Sequence, residues 1–250
     1  MGAFSRITLG AFSIDEIIRG RKNRFCCREG GAGMELDHLF LGVGDRGRCG
    51  DLLTEFGLRE GSGNRHEGQG TANRRFFFRN LMLEILWVED EEEARSPLTA
   101  PMGLWERCGG EEGRSPFGIG LRVQDPEEVL PFPIWEFCPP YLGGRGCIRV
   151  GCGAGTEEPL VFCIPAGAGP YGERNASQPK AEGGGAGWVR EVELRSKQGV
   201  PLSGPLEAVN GLAGFRAFRG DEDLLTLRLG PGPGTRRRCF APALPLEFRW

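Results

Sequence analysis

Two ionisable side chains stand where buried strands should carry only apolar residues. His38 lies in MELDHLFLGV, and Glu84 interrupts the apolar run LMLEILWV. An unpaired buried carboxylate costs several kcal/mol, so Glu84 requires a cation, an arginine or water inside a cavity. A neutral imidazole is a common ligand of divalent metals. Both residues are therefore candidate ligands, and the alternatives are a core histidine at position 38 and an arginine salt bridge at Glu84.

The second histidine of the chain, His66, lies in the glycine-rich segment HEGQGTAN. Glycines let a backbone approach a ligand closely, and Gln69, Thr71 and Asn73 offer short hydrogen-bonding side chains. His66 is therefore a candidate acid or base at the rim of a site. The three polar neighbours are candidate substrate-binding residues. A hairpin loop with a solvated histidine explains the same segment.

The composition excludes several classes of function. The 31 basic and 34 acidic residues are interspersed and give a formal net charge of −3, which argues against capture of nucleic acid or of an acidic membrane surface. No window approaches the run of about 18 apolar residues that a spanning helix needs. No glycine-rich segment continues into the helix of a dinucleotide or phosphate loop, so no nucleotide cofactor is expected.

The cysteine pattern predicts reduced thiols and no structural zinc site. Nine cysteines occur without a C-x-x-C pair, so a zinc ribbon is not expected. The chain has no apolar region of a secretory signal peptide, and we therefore expect a cytoplasmic protein with reduced thiols.

The hydrophobic pattern predicts three units with the element order βαβββ. The first unit covers residues 34–90, and a polar, helix-weak connector covers 91–114. The second unit covers 115–165, with a short helical turn at DPEEVL. A flexible linker at 166–186 precedes a C-terminal module at 187–250.

The two ends of the chain differ in character. Residues 1–33 combine a basic cluster with a glycine-rich exit, and we expect them to be a poorly ordered extension ahead of Met34. The C-terminal LPLEFRW echoes the LMLEILW of the first unit, with Glu247 in the place of Glu84. This echo predicts an internal repeat.

The segments MELDHLFLGV, HEGQGTANRRFFF and LMLEILWV together resemble the vicinal oxygen chelate superfamily, and in particular its glyoxalase-like domain branch. In that superfamily paired βαβββ modules form curved sheets around a cavity. The resemblance implies an α+β fold in which repeated βαβββ modules form a curved mixed sheet around a cavity. It covers most of residues 34–250 and is most specific over 34–90.

The resemblance also implies a metal site and its residues. The family's ligands on the first and fourth strands match His38 and Glu84, which would hold a divalent cation such as Zn, Fe, Ni or Mn. Glu247 would be a further ligand or a base, and His66 an acid or base at the rim.

The later units depart from the family pattern at the position of His38. FGIGLRV offers only Ile119 or Gly118 there, and WVREVELRS offers only Val192 or Glu191. The partner of the first unit and the complete ligand set are therefore left open.

The resemblance implies a metal-dependent lyase, isomerase or dioxygenase, in which the cation acts as a Lewis acid on a small oxygenated substrate. The incomplete ligand set favours an alternative, a non-catalytic protein that binds a small molecule in the same cavity. A third alternative is an interaction protein that has lost its site. The expected partner is a small molecule, with neither nucleic acid nor membrane, and a homodimer that completes the cavity stays open.

Overall fold

A computed structural model describes two β-sheets and the segments that connect them. The described residues are 33–109, 113–125, 127–153, 155–165, 167–181, 187–197, 202–232 and 234–250. The extension predicted over residues 1–33 lies outside the described residues, apart from Gly33. Within these ranges no helix is long and apolar enough to cross a membrane.

The first βαβββ unit forms one half of an eight-stranded sheet. Its elements are β1 (Met34–Gly42), α1 (Asp51–Glu55), β2 (Asn64–His66), β3 (Thr71–Phe77) and β4 (Met82–Val88). β1 pairs in parallel with β4, and β3 lies between β4 and β2, antiparallel to both. β1 and the first part of β4 are buried throughout because they lie in the interior of the sheet with both faces covered.

The second unit forms the other half of the sheet. Its strands are β5 (Phe117–Val123), β6 (Ile134–Phe137), β7 (Ile148–Gly151) and β8 (Leu160–Cys163). β5 pairs in parallel with β8, as β1 does with β4, and β1 pairs antiparallel with β5. The strand order is β2-β3-β4-β1-β5-β8-β7-β6. The sheet curls like a half-barrel, which confirms the predicted α+β fold with a curved mixed sheet and shows that the first two units pair.

The helical turn predicted at DPEEVL does not form among the described residues of that segment. They form a turn in which the backbone N–H of Glu127 donates to Asp125 Oδ1 (2.9 Å) and that of Glu128 to the Asp125 carbonyl (3.1 Å). Pro131 and Pro133 follow, and a proline cannot donate the backbone hydrogen bond of a helix interior.

The connector between the units holds more helix than its composition predicted. It contains α2 (Glu91–Ala94), a 3-10 turn at Ala100–Met102 and α3 (Leu104–Gly109). Asp90 caps α2, because its side chain accepts a hydrogen bond from the backbone N–H of Glu93 (3.1 Å). Capping and the burial of the apolar side chains on the inner sides of these turns stabilise helices that propensity alone would not.

A second sheet of five strands follows. Its elements are β9 (Val189–Ser196), α5 (Gly204–Asn210), β10 (Phe215–Arg219), β11 (Leu224–Leu229), β12 (Arg237–Cys239) and β13 (Leu246–Arg249). The strand order is β10-β9-β11-β13-β12. Here the helix joins two neighbouring parallel strands, whereas in the first two units the opening strand neighbours the last one. The C-terminal module therefore begins with the same order of element types but has one strand more, and its strands are arranged differently in the sheet.

The two faces of the eight-stranded sheet have different neighbours. Leu39 and Ile85 belong to a large apolar cluster with Phe248 of the five-stranded sheet. Phe40 and Leu86, which point the other way along the same strands, belong to a second cluster on the concave face. The five-stranded sheet thus packs behind the eight-stranded one and leaves the concave face to the site.

Cys138 and Cys147 form a disulfide that closes the segment between β6 and β7. The expectation of reduced thiols throughout the chain is therefore wrong for this pair. Their Cα atoms are 4.4 Å apart because β6 and β7 pair as a hairpin, and a separation of nine residues in the sequence does not reveal this.

Candidate functional site

A cavity of about 730 Å³ opens on the concave face of the eight-stranded sheet. This volume is in the range of small-molecule sites. His38, Glu84, His66, Gln69 and Asn73 all contribute to its lining. The curvature of the sheet thus brings together most of the residues that the sequence singled out.

Asp37, His38 and Glu84 form a buried line at the centre of this face. His38 Nδ1 lies 2.9 Å from Asp37 Oδ1, and His38 Nε2 lies 3.8 Å from Glu84 Oε2. A carboxylate at Nδ1 fixes the orientation of an imidazole ring and presents Nε2 to the site.

The sequence did not predict Asp37 as a member of this site. Neighbours on a regular strand point to opposite faces, but the pairing of β1 with β5 shifts register between Leu36 and His38. Such a bulge re-aims side chains, so that both Asp37 and His38 line the cavity.

Arginines from two other elements compensate the charge of Asp37. Arg174, in α4 (Tyr171–Arg174), forms an ion pair with it, and Arg122 Nε lies 3.8 Å from Asp37 Oδ2. Burial acts to raise the pKa of Asp37. The hydrogen bond with His38 and the charges of His38, Arg174 and Arg122 outweigh it, so the pKa is lowered.

Glu84 has a polar partner on the neighbouring strand. Asn73 Nδ2 donates a hydrogen bond to Glu84 Oε1. Arg75 lies opposite Glu84 in the register of β3 and β4, but no ion pair joins them, and among the described residues His38 is the ionisable group within ion-pair distance of Glu84. The alternative that the sequence left open, a salt bridge between Glu84 and an arginine, is therefore not found among the described residues.

His66 is buried at the edge of the cavity, so the solvated histidine of the alternative interpretation is wrong. Its Nδ1 lies 2.9 Å from Thr71 Oγ1, which also accepts a hydrogen bond from Gln69 Nε2 (2.7 Å). The ring packs against Tyr141, with centroids 4.9 Å apart. Burial lowers the pKa of His66, against the opposing charge of Glu84. Thr71 lies behind the cavity wall and orients His66 and Gln69.

The second unit contributes apolar surface and space instead of ligands. Phe162 on β8 stands edge-on to the His38 ring, with centroids 5.3 Å apart. On β5, a Cβ at Gly120 would lie 2.5 Å from His38 Cε1, and one at Gly118 would lie 1.9 Å from the Phe40 ring. The departure from the family pattern in FGIGLRV thus makes room for the side chains of β1.

Glu247 is not part of this site. It lies on β13 of the five-stranded sheet and forms an ion pair with Arg249, with Arg237 Nη1 3.9 Å away. It does not line the cavity. The sequence echo between LPLEFRW and LMLEILW placed it with Glu84, but its sheet packs on the opposite face.

His38 and Glu84 both line the cavity, and each has an atom that can bind a metal close to that of the other. Within the described part of the chain, the one group of three close ligand atoms is Glu136 with Cys138 and Cys147. The two sulfurs of that group are joined in the disulfide and are not thiolates, the form in which cysteine binds metals. A third protein ligand beside His38 and Glu84 is not found among these residues.

Comparison with known proteins supports the fold and the family of the first part. A search of curated proteins finds no match. The crystal structure of a hypothetical protein from Staphylococcus aureus is similar, with a TM-score of 0.52 and 13% sequence identity, over 86% of this chain and 98% of that chain. At that identity the likeness concerns the fold alone. Residues 36–130 match the family model described as a glyoxalase-like domain. This stretch contains His38, His66 and Glu84, and the match agrees with the resemblance that the sequence predicted.

Proposed function

We propose that this protein is an enzyme that acts on a small oxygenated molecule in the cavity, as a metal-dependent lyase, isomerase or dioxygenase. The buried line of Asp37, His38 and Glu84 carries the proposal. Burying two carboxylates beside an imidazole is costly, and such groups cluster where a protein holds a cation or moves a proton.

The divalent cation implied by the family fits these donors. Asp37 holds Nδ1 of His38, which is the usual arrangement behind a metal-bound imidazole. Zn, Fe, Ni or Mn would be held by His38 Nε2 and Glu84, and substrate oxygens and water would complete the shell. A cation there supplies Lewis-acid polarisation of a substrate oxygen.

The protein's own groups are arranged for proton transfer. Asn73 holds one oxygen of Glu84, and the other faces His38 Nε2. Glu84 can accept a proton from a substrate carbon, and Asp37 fixes the orientation of the His38 ring. His66 stays neutral at neutral pH because burial lowers its pKa, so it serves as a hydrogen-bonding group at the rim, with Gln69 beside it.

A non-catalytic binding protein is the second candidate. The apolar wall from the second unit and the two-residue ligand set favour it. In that case His38 and Glu84 would bind a polar group of the ligand without a reaction.

The test is the metal content of protein purified without chelators, by mass spectrometry of the metals, for the wild type, Glu84→Gln and Glu193→Gln. Glu193 is a largely buried carboxylate of the five-stranded sheet, 2.9 Å from Arg216 Nη2, and controls for the loss of a buried charge. We expect near-stoichiometric divalent metal in the wild type and Glu193→Gln, and its loss in Glu84→Gln.

Equal metal in the two variants would contradict the assignment of Glu84. No metal in any of the three proteins would overturn the metal-dependent enzyme and leave the binding protein as the better account of the cavity.

A further inference from the structure

The cavity carries more positive than negative side chains, although the whole chain has a formal net charge of −3. Four arginines line it against two carboxylates: Arg65, Arg75, Arg145 and Arg174 against Asp37 and Glu84. A cleft lined mainly by positive groups raises the local concentration of anions. The sign of its charge therefore points to an anionic ligand.

Arg75 is the arginine of this set that is half-buried and has no carboxylate partner among the described residues. Arg174 is paired with Asp37, and Arg65 Nη1 lies 3.5 Å from Glu89. Arg75 instead donates from Nε to the Ser62 carbonyl (2.5 Å) and from Nη2 to Ser62 Oγ (2.9 Å). These contacts with neutral groups fix the guanidinium. No carboxylate of the described residues forms an ion pair with it, although the charge of Glu84 on the neighbouring strand acts on it.

Another part of the cavity lining is apolar. Six of the side chains that form it come from β1, β4, the connector and β8: Phe40, Leu86, Met102, Leu104, Leu160 and Phe162. All six are buried and belong to one apolar cluster. This wall removes apolar ligand surface from water.

The strand order places the reacting centre between these two regions. Arg75 lies on β3, Glu84 on β4, His38 on β1 and Phe162 on β8, with β5 between the last two. Neighbouring strands are roughly 5 Å apart. A molecule held by Arg75 that extends across the sheet therefore passes Glu84 and His38 before it reaches Phe162, the part of the apolar wall on β8.

We propose that the ligand of the cavity is an amphiphilic anion, with a carboxylate or similar oxyanion bound by Arg75 and an apolar body against the apolar wall. A guanidinium suits this role because it binds a carboxylate through two parallel hydrogen bonds. The inference rests on the proposed function, because the oxygenated group that reacts lies between the two ends, over Glu84 and His38.

The test is calorimetric titration of the full chain, in EDTA, with octanoate, octan-1-ol, octyltrimethylammonium and butanoate. We expect octanoate to bind about tenfold more tightly than octan-1-ol, and the cation and butanoate to bind more weakly still. Equal affinity for octanoate and octan-1-ol, or tighter binding of the cation, would overturn the proposal.

Three variants assign the effect to the two ends of the cavity. Arg75→Gln should raise the Kd for octanoate about tenfold and leave that for octan-1-ol unchanged, whereas Phe162→Ala should weaken both. Arg75→Lys keeps the charge but cannot form two parallel hydrogen bonds, and it should therefore retain only part of the preference for octanoate. Arg216→Gln, an exposed arginine of the five-stranded sheet, is the control. Unchanged octanoate binding by a folded Arg75→Gln protein would refute the role of Arg75.

The outcomes separate this inference from the proposed function. Because the titrations are made in EDTA, they do not depend on bound metal. Suppose that octanoate binding requires Arg75 and that the protein purified without chelators contains no metal. This result supports the anion site and contradicts the metal-dependent enzyme. Metal that requires Glu84, with no preference for octanoate, supports the enzyme and contradicts the anion site.

Discussion

Gly120 faces His38 so closely that a Cβ at this glycine would lie 2.5 Å from His38 Cε1 and 2.6 Å from Nδ1. The ring cannot easily retreat, because Asp37 holds it on one side and Phe162 packs edge-on against it. The glycine on β5 is therefore part of what positions the imidazole on β1.

Gly120→Ala should displace the His38 ring and so weaken metal binding. The steric conflict should also cost about 1–3 kcal/mol of unfolding free energy, as overpacking does in other buried sites. Metal content and urea unfolding measure the two effects. Gly204→Ala is the matched control, because a Cβ there meets no atom within 4 Å, and its stability should change by at most about 0.5 kcal/mol. Full metal content in Gly120→Ala would contradict the conclusion that Gly120 positions the His38 ring.

Asp37→Asn should destabilise the protein in a way that depends on pH. Its lowered pKa means that the folded state holds Asp37 ionised more strongly than the unfolded state, in which the pKa is near 3.8. The stability that this carboxylate contributes is therefore fully present above 3.8 and is lost as pH falls through the folded pKa. At neutral pH the variant should be less stable by about 3 kcal/mol, because Arg174 loses its buried partner.

Chemical unfolding of the wild type and of Asp37→Asn at a series of pH values tests this prediction. The two unfolding free energies should differ by a constant amount near neutral pH and converge in acid. Glu91→Gln, which removes an exposed partner of Arg95, should change stability by less than about 1 kcal/mol at every pH. A difference between wild type and Asp37→Asn that persists unchanged in acid would contradict the role of the ionised carboxylate.

His66 should titrate below the ordinary value of 6.5, because burial lowers its pKa. The unfolded state then binds a proton more readily than the folded state. The stability contributed by the neutral ring is present above pH 6.5 and is lost as pH falls below 6.5 towards the folded pKa. The chain has two histidines, so an NMR titration of the wild type and of His66→Gln assigns both resonances. A pKa of His66 at or above 6.5 would show that the charge of Glu84, and not burial, has the larger effect on it.

Part of the site could be predicted from the sequence because its chemistry conflicts with its surroundings. His38 and Glu84 are polar residues in apolar strands, and both are buried. Arg75 was also within reach, since Asn73, Arg75 and Glu84 share one face once β3 and β4 pair in register. The sequence pattern alone did not single it out, because arginines are common on strands that face solvent.

The rest depended on geometry that local patterns do not encode. Asp37 enters the cavity through a bulge that alternation cannot reveal. Arg174 and Tyr141 come from short segments between strands, where no periodicity indicates a direction. The arrangement of the C-terminal sheet was hidden because the order of element types along the chain resembles that of the first unit. Glu247 was therefore assigned to a site that its strand does not face.

Removal of the Cys138–Cys147 disulfide should loosen one side of the cavity. The closed segment carries Tyr141, Leu142 and Arg145 to the lining, and Tyr141 packs on His66. Without the cross-link the unfolded chain gains conformational freedom, so Cys138→Ser together with Cys147→Ser should cost about 2–3 kcal/mol of unfolding free energy. The Kd for octanoate should rise, because the segment must be ordered when the ligand binds.

Urea unfolding and calorimetry compare the double variant with the wild type, with and without dithiothreitol. The reductant should bring the wild type to the values of the double variant and leave the latter unchanged. Cys239→Ser is the matched control, since Cys239 is exposed and free and should alter neither quantity. The same stability and the same Kd in the reduced and oxidised wild type would show that the disulfide has no part in shaping the cavity. Other contacts would then hold the segment in place, such as the hydrogen bond from Arg145 Nε to the Leu142 carbonyl (2.8 Å).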